Sequence, residues 1–303
     1  MHICRVHTFA GEEVTGIVSI HIKETNQRNK LVKPFLKWAG GKSQLAGEIK
    51  KHVTPDFSTY YEPFLGGGAV LFYLQPHKAV VNDSSEELMN VYRVVKDRLE
   101  ELIEDLKQHV NDADYFYDIR SWDRNEGEYK KLSPVKRASR LIYLNKTCYN
   151  GLYRVNKKGQ FNVPFGKYKN PDIVNESVLR AVSNYLNKNE IYFYCGDFVD
   201  NLQNIEESAF VYFDPPYDPV SDSANFTSYN KNGFFKEEQE RLKQVCDSLN
   251  EKGVKFLLSN SATNFIKDLY RDYKCEIIPA RRAINSRGDK RGEVDELLVR
   301  NYE

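Results

Sequence analysis

Excess charge is what this chain lacks first: 44 Lys and Arg stand against 43 Asp and Glu over 303 residues. That balance excludes a uniformly basic polyanion binder, although a net charge of +1 says nothing about where the signs sit. Cysteine is scarce as well. Cys4, Cys148, Cys195, Cys246 and Cys275 are odd in number, widely spaced and never paired as CxxC, which argues against a disulfide framework or a thiolate zinc site. No metal is expected, and a reducing, cytoplasmic setting fits best. No apolar run approaches the roughly 20 residues that span a bilayer. The opening MHICRVHTFAGEEV also lacks the basic start and long apolar segment of a secretion signal, so no membrane association is expected.

Hydrophobic residues make up 41% of the chain, enough for one large α/β domain or for a core with a smaller insert. Residues 1–30 carry little beyond the short run IVSI at 17–20 and are set apart as an extension without an assigned role. From residue 31, short apolar runs alternate with helix-forming stretches, the pattern of parallel strands joined by crossover helices. Strands are expected at 59–62, 78–82, 190–195, 209–214 and 254–260, with 274–280 and 296–302 closing the sheet as an antiparallel pair. Helices are expected at 43–53, 67–74, 85–109 and 236–250. Such a sheet opens a cleft beyond the carboxyl ends of its strands, where ligands bind.

Between 96 and 189 the strand rhythm stops and the charge segregates. Residues 86–114 hold nine acidic and four basic residues, whereas 130–171 hold eleven basic residues and no acidic one. Tyrosines, phenylalanines and asparagines interleave with those basic residues, which favours a nucleic-acid surface over a merely solvated face. Within it, YRVNKKGQFNV (153–163) is expected to form a hairpin turning at Gly159, a ribbon of a size that the DNA major groove admits. Arg154 at such a tip suits a two-point contact to a guanine edge, while Lys157 and Lys158 suit phosphates.

Three motifs carry the chemistry. YEPFLGGGAVLF (61–72) places Gly66, Gly67 and Gly68 in a turn after an acid-terminated strand, and Asn82-Asp83 ends the next strand about twenty residues on. A tight structural turn has this form, and so does a nucleotide-like cofactor site in which a carboxylate accepts ribose hydroxyls. WAGGKS (38–43) is not a phosphate loop, because Leu36 stands where that motif needs its first glycine. CGDF (195–198) ends another strand and puts Asp197 on the same side of the cleft. The sharpest motif is VYFDPPYDP (211–219), in which an apolar strand runs directly into Asp214-Pro215-Pro216-Tyr217. Two prolines stiffen that loop. An exocyclic amine held between the Asp214 carboxylate and the Pro215 carbonyl, with Tyr217 stacked on its ring, is made reactive as its lone pair swings toward an electrophile. The poorly nucleophilic N6 of adenine is such an amine.

FLKWAGGK (35–42), YEPFLGGGA (61–69), ND (82–83), NGLYRVNKKGQFNVPFGKY (150–168), GDF (196–198), DPPY (214–217), FTSY (226–229), LSNS (258–261) and ELLVRNYE (296–303) together resemble the Dam-type, D12-class (alpha-group) DNA adenine-N6 methyltransferases. The GATC-modifying enzymes of restriction-modification systems are the nearest in pattern. The resemblance runs in order from about residue 31 to the C-terminus. It implies a class I (Rossmann-like) S-adenosyl-L-methionine-dependent methyltransferase sheet, at 31–95 and 190–303, interrupted by a mostly helical target-recognition domain at 96–189. It implies that Phe35, Trp38, Lys42, Glu62, Phe64, Gly66, Gly68, Asp83, Asp197 and Asp214 line the cofactor site. Asp214, Pro215, Pro216 and Tyr217 are the implied catalytic loop. Asn150, Leu152, Arg154 and Pro164 are implied readers of GATC, and Arg140, Asn156, Lys157, Lys158, Lys167 and Tyr229 further DNA contacts. The implied reaction is methylation of adenine N6 in duplex DNA after the base is rotated out of the helix, protecting host DNA from a cognate endonuclease. A monomer suffices for it, a dimer is compatible, and no obligate protein partner is implied. Cytosine-C5 transfer is disfavoured, since none of the eleven prolines precedes a cysteine. A DNA-binding module without catalysis leaves the DPPY strand end and the glycine turn without a use. Protein or RNA amine methyltransferases share similar Pro-Pro-Tyr loops, so the recognition insert discriminates more than the catalytic motif does.

Overall fold

The computed structural model describes residues 28–219, 234–281 and 293–303. Its centre is a seven-stranded sheet of β1 (Tyr60–Glu62), β2 (Lys78–Asp83), β3 (Glu190–Cys195), β4 (Phe210–Phe213), β5 (Lys255–Ser261), β6 (Lys274–Arg281) and β7 (Glu293–Arg300), in the order β3-β2-β1-β4-β5-β7-β6. Strands β1 to β5 pair in parallel. β7 enters antiparallel between β5 and β6, pairing Leu258 with Val299 on one side and Ile277 with Leu297 on the other. The expected closing pair is therefore present, with its second member inside the sheet. β4 is buried at every residue, as a central parallel strand covered on both faces must be. The order reverses between β1 and β4, so the cleft opens beyond Glu62 and Phe213.

Helices α1 (Ala46–His52), α2 (Ala69–Leu74), α3 (Glu86–Asp97) and α9 (Lys236–Glu251) fall where periodicity places them. The single helix expected over 85–109 is instead two, α3 and α4 (Leu99–Leu106), broken at Arg98 with φ −137° and ψ 40°. Apolar spacing continues across the break and neither Gly nor Pro marks it. Packing of both helices on α7 (Pro134–Thr147) accompanies it. The remaining α-helices among the described residues are α5 (Ala113–Ser121), α6 (Glu126–Lys131), α8 (Glu176–Lys188) and α10 (Asn264–Leu269).

α7 is a shared wall. Ser133 caps it by accepting from the Lys136 N–H, and Pro134 occupies its first turn, where no amide donor is needed. Val135, Ala138, Leu141 and Ile142 join the apolar cluster that covers the sheet. Tyr143 and Leu144 join a separate cluster with Phe116, Ile119, Cys148, Phe161 and Val163.

The hairpin over 153–163 is present in minimal form, with one antiparallel bridge, Val155 to Phe161. The Asn156 N–H donates to Gln160 O at 2.8 Å, and Gly159 turns the chain at φ 78°. Asn156 Oδ1 accepts from the N–H groups of Lys158 and Gln160, so the side chain holds the turn together. The returning strand is fixed from beneath: Asp123 accepts from the Phe161 N–H at 2.7 Å, and Arg124 donates to Phe161 O at 2.6 Å.

This arrangement corrects the reading of the basic segment. Lys130, Lys131, Lys136 and Arg137 are ion-paired with Glu126, Glu128, Asp105 and Glu86/Glu87. Arg140 is 5% exposed, pairs with Asp123 at 2.8 Å and donates to the carbonyls of Ile119 and Arg120. Its guanidinium braces the support of the hairpin and is not presented to a duplex. Arg154, Lys157, Lys158, Lys167 and Lys169 are exposed, and among the described residues no ion pair engages them. The free positive charge is thus concentrated at 154–169. Replacing Asp123 by Ala strands the buried Arg140 charge and should cost about 3 kcal/mol in urea-unfolding free energy. Arg154→Ala, at an exposed site, should cost no more than about 0.5 kcal/mol.

Candidate active site

The strand β4 delivers Asp214 to the cleft, and the Pro215-Pro216 pair turns the chain so that Tyr217 lies beside it. Asp214 Oδ1 lies 2.8 Å from Lys42 Nζ, and the two side chains are 19% and 4% exposed. The same ammonium donates to Gly40 O at 2.7 Å and sits 4.4 Å from the centre of the Tyr217 ring. The Tyr217 hydroxyl donates to Glu296 Oε2 on β7 at 2.8 Å. Burial pushes the Asp214 carboxyl up to about 6, against the Lys42 ammonium, which holds it down.

The loop is braced by polar groups that the motifs alone do not reveal. Gln239 of α9 donates to Pro216 O at 2.9 Å and accepts from Asn260 Nδ2 at 3.0 Å. Asn260 Oδ1 accepts from the Asp218 N–H at 3.1 Å, and the hydroxyls of Ser261 and Thr263 donate to Asp218. Gln239 and Asn260 are 1% and 0% exposed, so these bonds are made in a dry interior where a missing partner is costly. LSNS and ELLVRNYE stood within the resemblance, but a lone Asn, Gln or Glu in a strand or helix carries no local signal of burial.

The glycine turn lies at the end of β1. Gly66 and Gly68 have φ of 49° and 68°, and a Cβ on Gly68 would stand 2.9 Å from Phe72 Cε2. The Gly66 N–H donates to Asp83 Oδ2 at 3.0 Å and the Ser85 N–H to Asp83 Oδ1 at 2.9 Å, while Tyr92 donates to Gly66 O. Burial raises the Asp83 carboxyl above its ordinary range, with both amides opposing. Each oxygen retains lone pairs for ligand hydroxyls. Beside it, Asn82 bridges Pro63 O and Gly196 O, and its Oδ1 is buried without a partner among the described residues. Phe64 lies 5.1 Å from the Phe198 ring and edge-on to Phe234, giving an apolar wall. An adenosyl group with two ribose hydroxyls fits this set: a carboxylate, an orphan acceptor, a Cβ-free turn and aromatic sides.

Other expected cofactor residues take varied positions. The indole of Trp38 stacks on Tyr153, with ring centres 4.6 Å apart, and faces Gly66. Phe35 is 3% exposed, its ring packed edge-on to Tyr92. Glu62 is buried and accepts from the Tyr60 hydroxyl at 2.9 Å, and burial holds it well above the usual carboxylate range. Asp197 is exposed and tied to Arg241; burial alone would raise its carboxyl, but Arg241 holds it below its ordinary value. Lys42 meets Asp214 rather than the glycine turn. Of the expected DNA contacts, Asn150, Arg154, Lys157, Lys158, Pro164 and Lys167 are exposed, and Leu152 and Asn156 are half-buried. Tyr229 lies outside the described residues. No group of three potential metal ligands occurs among the described residues, and no described helix is long and apolar enough to cross a membrane.

Five parallel strands, an antiparallel seventh between the fifth and sixth, a glycine turn after β1 and an acid ending β2 define an S-adenosyl-L-methionine-dependent methyltransferase of class I fold carrying an inserted helical region. Residues 38–284 match the family described as D12 class N6 adenine-specific DNA methyltransferase, and the chain belongs to it. It is 45% identical to the type II methyltransferase M1.LlaDCHI of Lactococcus lactis subsp. cremoris over 279 residues, covering 91% of this chain and 98% of that one. It is 42% identical to the type II methyltransferase M.MjaIII of Methanocaldococcus jannaschii over 292 residues, covering 89% and 99%. It is 36% identical to the DNA adenine methylase of Escherichia coli K12 over 269 residues, covering 88% and 94%. The protein is accordingly an adenine-N6 DNA methyltransferase that uses S-adenosyl-L-methionine.

An ionised Asp214 is required if it is to accept from the target amine. With its carboxyl raised to about 6 while Lys42 lies against it, kcat/KM for methyl transfer, which reports the free enzyme, should fall as pH drops through that value and be level above it. Lys42→Met removes the cation that favours ionisation and should move the acid limb to higher pH. A limb near the ordinary carboxylate range of about 4 would contradict this assignment.

Proposed function

We propose that this enzyme methylates the adenine of GATC in duplex DNA after that base has been rotated out of the helix. The observation that carries the reading is the position of Lys42. Its ammonium lies against the Asp214 carboxylate and over the Tyr217 ring. An extrahelical adenine needs the same two partners, one for its amine and one for its ring. Lys42 thus holds the place of the base, and the arriving base displaces it.

S-adenosyl-L-methionine supplies the electrophilic methyl group; Asp83, Asn82, the Gly66–Gly68 turn, Trp38 and Phe64 are the residues that hold it. Asp214 and the Pro215 carbonyl accept the two N6 hydrogens, so that the nitrogen lone pair turns out of conjugation. Tyr217 stacks on the ring, its hydroxyl anchored by Glu296. Pro216 stiffens the loop and offers its carbonyl to Gln239. Stacking and hydrogen bonding offset a flipping cost of a few kcal/mol, and alignment with preorganised dipoles supplies the remaining rate enhancement.

Residues 31–95 and 190–303 form the catalytic domain in this reading, and 96–189 the target-recognition domain. Within the latter, the exposed Asn150, Arg154 and Pro164, with Leu152, read the groove, while Lys157, Lys158 and Lys167 meet phosphates. Two of the relatives are named type II methyltransferases, which supports protection of host DNA from a cognate endonuclease in the cytoplasm. A monomer suffices, since two separate transfers modify both strands of a palindrome.

Tritiated-methyl transfer to duplexes carrying GATC or a scrambled site, and to the matching RNA, tests the substrate. Transfer confined to the GATC duplex, and lost in Asp214→Ala, is the expected result; undiminished transfer by Asp214→Ala would sink the mechanism. Arg154→Ala should cost about 1–3 kcal/mol of discrimination at the outer base pair. Lys157→Ala should weaken all duplexes alike and reduce the slope of log affinity against log salt by about one.

A further inference from the structure

Asn145 lies on α7 with no exposed surface, and its side-chain amide bonds only to backbone outside that helix. Its Oδ1 accepts from the Lys37 N–H at 2.9 Å, and its Nδ2 donates to Lys37 O at 2.8 Å and to Gly151 O at 3.0 Å. One acceptor meets one donor and two donors meet two carbonyls, so only one orientation of the amide satisfies the site. The side chain therefore joins segment 35–42, which carries Trp38 and Lys42, to segment 150–154, which carries Asn150, Leu152 and Arg154.

Two further contacts make this seam close-fitting. Gly151, at φ 65°, packs so closely on Lys37 that a Cβ there would lie 2.3 Å from Lys37 Cδ. Trp38 is held between the Tyr153 ring, 4.6 Å away, and Gly66, whose added Cβ would lie 3.0 Å from Trp38 Cδ1. The segment that carries Trp38 and Lys42 and the segment that carries Arg154 are thus referenced to one another through one buried amide and the close packing on either side of it.

We infer that Asn145 is a positioning residue that converts correct reading of the site into methyl transfer. With the seam intact, base-edge contacts at 150–154 and seating of the extrahelical base are satisfied together. Without it, the reading segment shifts against the pocket and cognate DNA loses its advantage, whereas a wrong site, which never made both sets of contacts, loses little. The inference rests on the GATC reading above.

The test compares kcat/KM for methyl transfer on a GATC duplex and on one with a single outer pair changed, for the full-length wild-type protein, Asn145→Ala and Gly151→Ala. These two variants disturb the seam from opposite sides. The cognate value should fall about tenfold or more and the altered-site value by less than about twofold, so that their ratio collapses. A variant that is merely partly unfolded lowers both values equally and leaves the ratio unchanged. A preserved ratio in both variants overturns the inference. Affinity for S-adenosyl-L-methionine, measured by equilibrium dialysis, should stay within about twofold of wild type in Asn145→Ala; a parallel loss there, with the ratio intact, also overturns it. Equal rates of the wild-type enzyme on both duplexes contradict the GATC reading instead, before any variant is measured.

Discussion

The ion pair between Asp214 and Lys42 is the interaction on which the site depends. A carboxylate at the end of a strand buried on both faces is costly to ionise, and it is kept poised by one ammonium that also covers the Tyr217 ring. The surrounding polar groups keep that geometry fixed. Gln239, Asn260, Ser261 and Thr263 hold the loop, and Glu296 holds the tyrosine hydroxyl. Methyl transfer of this kind depends on placement, and these buried polar groups contribute to it.

The insert follows the same economy of charge. Acidic residues of α3, α4 and α6 neutralise the first half of the basic segment, and Asp123 neutralises Arg140 beneath the hairpin. The exposed basic residues of 130–171 that no ion pair engages among the described residues are those of the hairpin tip and of the stretch that follows it. A chain with almost no net charge thus presents a compact cationic surface next to the carboxyl ends of its strands, linked to the cleft through Trp38, Tyr153 and Asn145.

Much of this was legible in the sequence, for reasons that are local. Each strand is a short β-branched or aromatic run bounded by turn residues, so all seven were placed. The glycine turn, Asp83 and the DPPY loop announce themselves because their chemistry depends on neighbours in the chain. Non-local facts were not legible. The insertion of β7 between β5 and β6, the break at Arg98 and the neutralisation of Lys136, Arg137 and Arg140 arise from partners tens of residues away. Gln239 and Asn260 were missed, and Asn145 was read with the asparagines of the basic surface although it is buried, for the same reason: a single amide in a helix or strand looks like surface until the fold buries it.

The central claim is that the pocket of Asp214, Pro215 and Tyr217, closed by Lys42, receives an extrahelical adenine. The most direct measurement is the fluorescence of a duplex in which 2-aminopurine replaces the GATC adenine, titrated with the enzyme and S-adenosyl-L-homocysteine. A strong rise with the wild-type protein, absent when the fluorophore sits one base pair away, is the predicted result. Quenched, unchanged fluorescence at saturating enzyme would contradict the account.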